Sequence, residues 1–452
     1  MNLSKKTQLL FLSVLLVAAT AGIIVWSTLQ NHASESIDID MFNPVQPALI
    51  GSAACSSFTL CVVTGAQNNS SGLPDATLLV GHPDHWKSFR FQRHNPMPIG
   101  TELVSCVRDG SCVVSGVADS TSPSKLSVIV VAKAGKGVKT EALSLPDPRT
   151  VHDATVYESI CTPRGVCWLE IQANRSSGLL SETDSYVVRI VGSTIFAPIK
   201  IGDSSDSLVS GISCSETSSC TVYGQRRATP SSQFSYFVQT ERNQIWGFVQ
   251  PLYAPFLQAE KSNINGISCT AAGSCYLVGV QIKNTHSIGF SLFETSGHVT
   301  SSNVHFGIRS GQTDSEPSVI SCPSSTVCVS AGSYWLGNGN SQPFVETMQF
   351  GQWRTLSDLS VKGISTENGI SCKNDHQCYL VGTTVSNSGR SNPFIESIVL
   401  RASGRPRMVA LDLPGLAGST VDGISCNTRS CVVYGNSTID GRGKYIAILR
   451  NV

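Results

Sequence analysis

Charged residues are scarce in this chain, and the charges that it does carry nearly cancel. Only 14% of its 452 residues are charged, and 32 basic residues stand against 31 acidic ones, for a net charge of +1. A chain without a global positive field has no long-range attraction for nucleic acid or for an anionic membrane surface, so we predict no nucleic-acid partner and no membrane attachment through overall charge. Abundant Ser, Gly, Asn and Thr favour short strands joined by polar turns over long surface helices.

Sequence motifs typical of catalytic sites are also missing. The sequence contains no Gly-x-Ser-x-Gly elbow and no Gly-rich phosphate-binding loop, and its serines fall in predicted turns. We therefore predict no catalytic residues, no cofactor and no metal ion, and we favour a protein that is not an enzyme.

The first 30 residues differ from the rest of the chain. Lys5 and Lys6 precede an apolar run over residues 9–26, which is the pattern of an export signal. Ala19-Thr20-Ala21 offers a cleavage site, whereas residues 22–26 extend the run towards the length of a membrane span. Residues 1–30 are thus predicted to be a hydrophobic helix that acts as a cleaved signal peptide or as an uncleaved signal anchor.

The cysteines carry the main signal, because all sixteen fall into close pairs and none is left over. Seven pairs have five intervening residues and the last has four. The pairs recur about every fifty residues, which is the spacing of a repeat protein. They are Cys55 with Cys61, Cys106 with Cys112, Cys161 with Cys167, Cys214 with Cys220, Cys269 with Cys275, Cys322 with Cys328, Cys372 with Cys378, and Cys426 with Cys431.

Each pair is predicted to form a disulfide across one β-hairpin. Facing residues of two antiparallel strands lie at a separation that a disulfide can span. Zinc sites usually use a shorter spacer and need a second pair or histidines nearby, whereas these pairs lie some fifty residues apart. An export signal also implies an oxidising compartment, so disulfides are favoured over metal ligands or free thiols.

A third, apolar strand follows the hairpins, and a fourth, alternating segment follows it in several repeats, as at 234–240 and 245–252. Four strands per repeat of this length predict the blade of a β-propeller. The expected fold is all-β, an eight-bladed β-propeller over residues 31–452 with one hairpin disulfide per blade and repeats starting near 51, 104, 158, 211, 266, 319, 369 and 423. The last repeat lacks a fourth strand, and the segment 40–49 is predicted to supply it and close the ring. An open solenoid is the structural alternative.

Residues 38–452 resemble the β-propeller superfamily, and the motif Gly-Ile-Ser-Cys at 211–214, 266–269, 369–372 and 423–426 resembles the repeats of uncharacterised secreted bacterial proteins. The resemblance implies the architecture and no particular activity, since neither a Gly-His and Trp-Asp pattern nor a sialidase-type Asp box is present.

Two groups of polar residues are candidate sites. His82, Asp84, His85 and His94 could supply metal ligands, but no other repeat contains such a set, so a solvated turn is expected. Glu294, Glu346 and Glu396 recur in third strands, with Gln239 in the place that we take as equivalent. Recurrence favours a shared structural hydrogen bond over a pair of catalytic carboxylates.

The strand 2–3 loops and the connections between repeats are predicted to share one face of the propeller. Its loops at 68–74, 174–184, 226–233 and 336–342 are polar and unequal in length, as binding loops on a rigid scaffold often are. We therefore expect a binding or scaffold module for a protein or glycan in the bacterial envelope or outside the cell. It would lie at the periplasmic face of the inner membrane, held by its N-terminal segment, or be secreted if that segment is cleaved. The alternative is a carbohydrate-active hydrolase or lyase with its site at the central channel.

Overall fold

A computed structural model describes the strands between residues 38 and 450 together with part of their connections. The described residues exclude 1–37, 43–48, 69–73, 92–102, 132–137, 147–150, 228–231, 253–256, 305–313, 337–340, 357–363, 401–405, 412–416, 438–443 and 451–452, as well as gaps of one to three residues.

The strands form eight separate antiparallel sheets in chain order. After β1 (Asp38–Phe42), the first four sheets contain the following strands. Sheet 1 has β2 (Leu49–Ser57), β3 (Leu60–Asn68), β4 (Pro74–His82) and β5 (His85–Phe91); sheet 2 has β6 (Leu103–Cys106), β7 (Cys112–Asp119), β8 (Ser122–Val131) and β9 (Val138–Ser144); sheet 3 has β10 (Val151–Cys161), β11 (Val166–Ser177), β12 (Leu180–Val191), β13 (Thr194–Ile195) and β14 (Ile199–Ile201); sheet 4 has β15 (Asp206–Cys214), β16 (Cys220–Arg227), β17 (Ser235–Arg242), β18 (Ile245–Trp246) and β19 (Gln250–Pro251).

The remaining four sheets follow the same meander. Sheet 5 has β20 (Lys261–Ala271), β21 (Ser274–Lys283), β22 (His286–Thr295) and β23 (His298–Val304); sheet 6 has β24 (Asp314–Ser324), β25 (Val327–Trp335), β26 (Ser341–Gln349) and β27 (Gln352–Leu356); sheet 7 has β28 (Ile364–Asn374), β29 (Gln377–Val385), β30 (Ser391–Val399) and β31 (Arg407–Leu411); sheet 8 has β32 (Ser419–Cys426), β33 (Cys431–Ser437) and β34 (Lys444–Arg450), with β1 as its fourth strand.

The fold class predicted from the sequence, an eight-bladed β-propeller with an added N-terminal helix, needs correction. The described residues contain strands and no helix, so the fold that they show is an all-β propeller, and the helix predicted within 1–30 lies outside them. The blades are also less uniform than predicted, because the fourth strands of sheets 3 and 4 are each broken in two. Pro198 has no N–H to give to the ladder of sheet 3, and Gly247 lies in the break of sheet 4.

One disulfide joins the first cysteine-bearing strand of every sheet to the strand that follows it in the chain. The Cα–Cα distances of the eight bonds lie between 3.9 and 4.1 Å, and the described residues contain no free cysteine. The bonds join Cys55 to Cys61, Cys106 to Cys112, Cys161 to Cys167, Cys214 to Cys220, Cys269 to Cys275, Cys322 to Cys328, Cys372 to Cys378, and Cys426 to Cys431.

The strand register explains why these cysteines can bond. In seven of the eight sheets the two cysteines are direct partners across the antiparallel pair, and only Cys322 and Cys328 of sheet 6 lie at a shift in the register. The second cysteine of each pair is fully buried, as Cys61, Cys167, Cys328 and Cys378 are at 2% exposure or less. Eight disulfides in one chain indicate an oxidising, extracellular or exported environment.

The two ends of the chain meet in sheet 8. Strand β1 pairs with β34 from Asp38 opposite Arg450 to Phe42 opposite Ile446. The segment predicted for this role, 40–49, overlaps β1 only in part, and its residues 43–48 lie outside the described ones. Strand β2 of sheet 1 contacts both β32 and β33 of sheet 8, so the sheets form a closed ring.

The apolar core lies between the faces of neighbouring sheets. One cluster joins Val113 and Leu126 of sheet 2 to Leu169 and Ile171 of sheet 3, and another joins Ala53 of sheet 1 to Val432 of sheet 8. The sheets therefore stack face to face around an axis, as the blades of a propeller do.

A glycine four residues after the second cysteine permits the two inner strands of several sheets to approach closely. It is present at Gly224, Gly279, Gly332 and Gly382, where a Cβ atom would collide with a carbonyl oxygen of the first strand. The sequence repeat around the cysteines thus has a packing cause, and sheet 3 departs from it with Ile171.

In the part of the chain that the structure describes, no helix is long and apolar enough to cross a membrane.

Candidate functional site

The first strand of each sheet lines the axial channel of the propeller. This strand is at one edge of its sheet, and the first strands of neighbouring sheets contact one another around the ring. Among the described residues, those four and six positions before the first cysteine are exposed or half-buried, and we infer from the position of the first strands that they face the channel. We call the polar and aromatic ones that the structure describes the channel wall: Thr155, Tyr157, Ser210, Asn263, Asn265, Glu316, Ser318, Thr366, Asn368, Thr420 and Asp422.

A β-bulge recurs in the first strands four residues before the first cysteine. The strand register shifts across Tyr157, Ser210, Asn265 and Asp422, and the same shift occurs in sheets 1, 6 and 7. A bulged residue leaves the ladder, and its side chain is turned away from the regular alternation. In sheet 3 the bulge leaves Tyr157 57% exposed.

Some residues of the channel wall also hold neighbouring sheets together. The side-chain amide of Asn265 donates a 2.8 Å hydrogen bond to the carbonyl oxygen of Pro317 in the next sheet. Asn368 donates in the same way to the carbonyl oxygen of Val421. These two asparagines are therefore part of the scaffold as well as of the wall.

Among the described residues that make up the channel wall, two have charged side chains, and both are negative. Glu316 and Asp422 are exposed there, and the wall includes no lysine, arginine or histidine. The Asp422 carboxylate accepts hydrogen bonds from Thr420 and from the side-chain amide of Asn436. The wall consequently offers hydroxyl groups, amides, carboxylates and one aromatic ring, a set suited to a polyhydroxylated neutral ligand.

Two glutamates face each other immediately after the bulge at Tyr157. Glu158 on β10 and Glu170 on β11 are direct partners in the strand register, and Glu170 is only 1% exposed. Burial raises the pKa of Glu158 to about 7. The 2.7 Å hydrogen bond that the Ile212 N–H donates to Glu158 Oε2 lowers this pKa, but by less than burial raises it. Burial, followed by repulsion from Glu158, raises the pKa of Glu170 well above its ordinary value, although Gln172 donates to Glu170.

The acid pair, Glu158 with Glu170, connects sheets 3 and 4. Besides the bond from Ile212 to Glu158, the amide of Gln172 donates a 2.7 Å hydrogen bond to the carbonyl oxygen of Val209. Burial raises the pKa of Tyr223 on β16, and the two glutamates raise it further. Because Glu170 is buried, a ligand in the channel cannot reach both carboxylates, which separates this pair from the flanking carboxylates of glycoside hydrolases.

The serine of the Ile-Ser-Cys motif has a structural role that the sequence did not disclose. Its hydroxyl accepts a hydrogen bond from the backbone N–H of the first cysteine in the next sheet. The bonds join Ser213 to Cys269 at 2.9 Å, Ser268 to Cys322 at 2.9 Å, Ser321 to Cys372 at 3.2 Å and Ser371 to Cys426 at 3.1 Å. We call these bonds the serine latches.

The recurrent glutamates of the third strands fall into two classes instead of one. Glu346 and Glu396 face residues two beyond the second cysteine, as Gln239 does, whereas Glu294 faces Cys275 itself. Treating Glu294 as equivalent to the others was therefore wrong by two positions. Glu346 accepts a 2.5 Å hydrogen bond from Thr355, and Gln239 accepts one from the Gly202 N–H.

The structure describes only part of the predicted histidine group. His82 and His85 face each other across the turn between β4 and β5, but their side chains, Asp84 and His94 lie outside what the structure describes. No group of three potential metal ligands occurs among the described residues. The loop predicted at 174–184 is largely a strand extension, since Asn174 pairs with Thr183 and Ser177 with Leu180.

Comparison with known proteins supports the fold and nothing finer. No protein-family model matches the chain, and no curated protein matches it either. Sqt1 of Chaetomium thermophilum, in a structure bound to the N-terminus of ribosomal protein L10, aligns with a TM-score of 0.54 at 10% identity, over 91% of this chain and 98% of that one. That similarity, together with the closed ring of sheets, establishes the class: the chain is a β-propeller with a disulfide in each blade.

Two carbohydrate-active proteins align less closely. The polysaccharide lyase Uly1 gives a TM-score of 0.48 at 10% identity, over 90% of this chain and 91% of that one. The Hadza microbial sialidase Hz136 gives 0.41 at 11% identity, over 90% and 98%. At these scores neither similarity bears on the function of this chain.

Proposed function

We propose that the protein is an exported binding module that holds a neutral glycan in its axial channel. The observation that carries this proposal is the channel wall, in which recurrent bulges expose hydroxyl and amide groups around Tyr157. Such groups both donate and accept hydrogen bonds, as sugar hydroxyls require, and an exposed ring can pack on the apolar face of a sugar. A wall whose charged groups are carboxylates disfavours an acidic polysaccharide, which they would repel.

Residues 31–452 would form the exported part, and residues 1–30 would direct it across the membrane. If that segment is retained, it would hold the propeller at the periplasmic face of the inner membrane; if it is cleaved, the propeller would be secreted. The disulfides support export, because such bonds persist in oxidising compartments.

A hydrolase or lyase is the second candidate function. It is favoured by the two exposed carboxylates of the channel wall, Glu316 and Asp422, since glycoside hydrolysis uses a pair of carboxylates that flank the sugar. Such an enzyme would release shortened or unsaturated glycans, whereas a binding module would release none.

The test is a glycan array with the full-length oxidised protein in detergent, followed by calorimetric titration of any glycan that binds. Tyr157→Ala should weaken binding by about tenfold, the equivalent of about 1.4 kcal/mol. Trp335→Ala is the matched control, because Trp335 is also an exposed aromatic residue, 41% accessible, but ends β25 outside the channel wall. Glycan binding that survives Tyr157→Ala and Asp422→Asn unchanged would place the ligand elsewhere and reject the proposal, and product release would establish the enzyme.

A further inference from the structure

The outer wall of sheets 3 and 4 carries an exposed apolar surface. We call it the outer patch; it comprises Val191, Phe196, Ile199, Ile245 and Phe248. Phe248 is 93% exposed and Ile245 is 73% exposed, which are the largest values among the exposed large apolar residues that the structure describes. Clustered side chains of this kind are uncommon on a soluble surface and mark a contact site.

Arg189 joins the two halves of the outer patch. Its guanidinium carbon lies 3.9 Å from the centroid of the Phe196 ring in sheet 3, and the same group donates a hydrogen bond to Gln244, which precedes Ile245 in sheet 4. Behind the patch, Trp168 and Trp246 meet edge to face with their ring centroids 5.4 Å apart. The patch is therefore continuous across the two sheets and has a packed base.

The exposed charge around the outer patch is positive. Lys200 and Arg242 are exposed, and Arg189 is half-buried. The carboxylates that accompany them, Asp184 and Glu241, are buried, at 3% and 2% exposure. Although Lys200 pairs with Asp184 at 2.6 Å, the surface that a partner would meet is apolar with a cationic margin.

The backbone of the outer patch is unsuited to pairing with a strand of another molecule. The fourth strand of sheet 3 is interrupted over residues 196–198, and that of sheet 4 over residues 247–249. Interrupted edge strands that contain proline resist the addition of a further strand. A second copy of the chain joined edge to edge is thus disfavoured, and contact through side-chain tips is favoured.

We propose that the outer patch rests on an anionic lipid bilayer. Phe248 and Ile245 enter the boundary between headgroups and acyl chains, while Arg189 and Arg242 face the lipid phosphates. Apolar side chains with basic neighbours bind such interfaces through buried apolar area and attraction to anionic headgroups. This contact is separate from the predicted N-terminal segment and sets how the channel of the propeller is held relative to the membrane.

The test measures hydroxyl-radical oxidation of single residues in the full-length protein, so that attachment through the N-terminal segment cannot itself produce the signal. The protein is bound to vesicles of phosphatidylglycerol mixed with phosphatidylcholine, and to vesicles of phosphatidylcholine alone. We expect oxidation of Phe248 and Phe196 to fall several-fold on the anionic vesicles only. Trp335, exposed on another sheet, should be oxidised equally in both and reports that the propeller remains folded.

A double variant, Arg189→Gln with Arg242→Gln, should abolish the protection of Phe248 while the oxidation of Trp335 stays unchanged. Equal protection on both kinds of vesicle, or no protection on either, would overturn the proposal. Protection that increases with protein concentration in the absence of lipid would assign the outer patch to contact between copies of the chain, and would overturn it as well.

Discussion

At the scale of single residues, the acid pair is the feature with the clearest consequence. The free energy of unfolding depends on pH through Glu158, whose pKa is about 7 in the fold and 4.5 for the ordinary group. Between these values the folded state keeps a proton that the unfolded state has lost, so stability falls as the pH rises from about 4.5 to 7. Glu158→Gln should remove the part of this loss that Glu158 causes and raise stability at pH 8 by on the order of 3 kcal/mol. Thermal unfolding at several pH values measures it.

Glutamine at position 158 can still accept the hydrogen bond from Ile212, which makes the variant a fair test of charge alone. Glu182→Gln on β12 is the control, and it should leave the difference between pH 5 and pH 8 unchanged. A Glu158→Gln protein that loses stability with rising pH as steeply as the wild type would contradict the account of the pair.

Contacts between individual side chains were the least predictable feature from the sequence. Glu158 and Glu170 lie twelve positions apart in the chain, and nothing in a single repeat indicates that they face each other, because other sheets have Gly211 with Tyr223 or Gly423 with Tyr434 at the corresponding places. Likewise, the bulge that exposes Tyr157 depends on the register between two strands, which the alternation of apolar residues does not specify.

At the scale of elements, the serine latches connect the first strands of successive sheets. Ser268→Ala removes the acceptor of the Cys322 N–H and leaves a partly buried donor without its partner. The expected loss is about 1 kcal/mol in the free energy of unfolding, measured by denaturant titration. Ser193→Ala, at an exposed turn of sheet 3, should change the free energy of unfolding little. Equal losses for the two variants would show that the serine latch does not stabilise the fold.

The close approach of the first two strands gives a second prediction at this scale. Gly279→Ala would drive a methyl group into the carbonyl oxygen of Asn263 and the ring of Phe290. Loss of stability by several kcal/mol is expected, as for other overpacked cores. The control Gly351→Ala has open space around the new methyl group and suffers only from a positive φ of 77°, so its loss should be about 1 kcal/mol. Comparable unfolding midpoints for both variants would show that the close approach of the two strands does not require glycine at position 279.

Elements were more predictable than residues, because the cysteine spacing marks the hairpins directly. The hairpin predicted around Cys269 and Cys275 is formed by β20 and β21, in which the two cysteines are direct partners. The fourth strands were less predictable. The alternation at 245–252 predicted one segment, but that strand is broken at 247–249, where Gly247 lies.

At the scale of the whole molecule, each disulfide is expected to add a small amount of stability to its own sheet. Replacement of Cys269 and Cys275 by alanine opens a loop of sequence separation 6. The chain-entropy model assigns about 2 kcal/mol to so short a loop, so the variant should unfold earlier but stay folded at room temperature. Circular dichroism of the oxidised variant tests this, and an unfolded protein would show that the bridge is required for the fold.

The closed ring was foreseeable from the repeat and from the last unit, which lacks a fourth strand, because an unpaired sheet edge needs a partner. The proposed binding surface was not foreseeable, since the channel wall is assembled from residues about fifty positions apart, such as Tyr157 and Ser210 in neighbouring sheets. The outer patch also depends on the placement of two sheets side by side.

The most direct test of the central claim is the affinity of a neutral glycan for three full-length proteins compared by calorimetry: wild type, Tyr157→Ala and Trp335→Ala. A ligand held in the axial channel predicts saturable binding that Tyr157→Ala weakens about tenfold and that Trp335→Ala leaves intact. Binding lost with Trp335→Ala and kept with Tyr157→Ala would place the site on the strand 2–3 face and contradict the channel as the binding site.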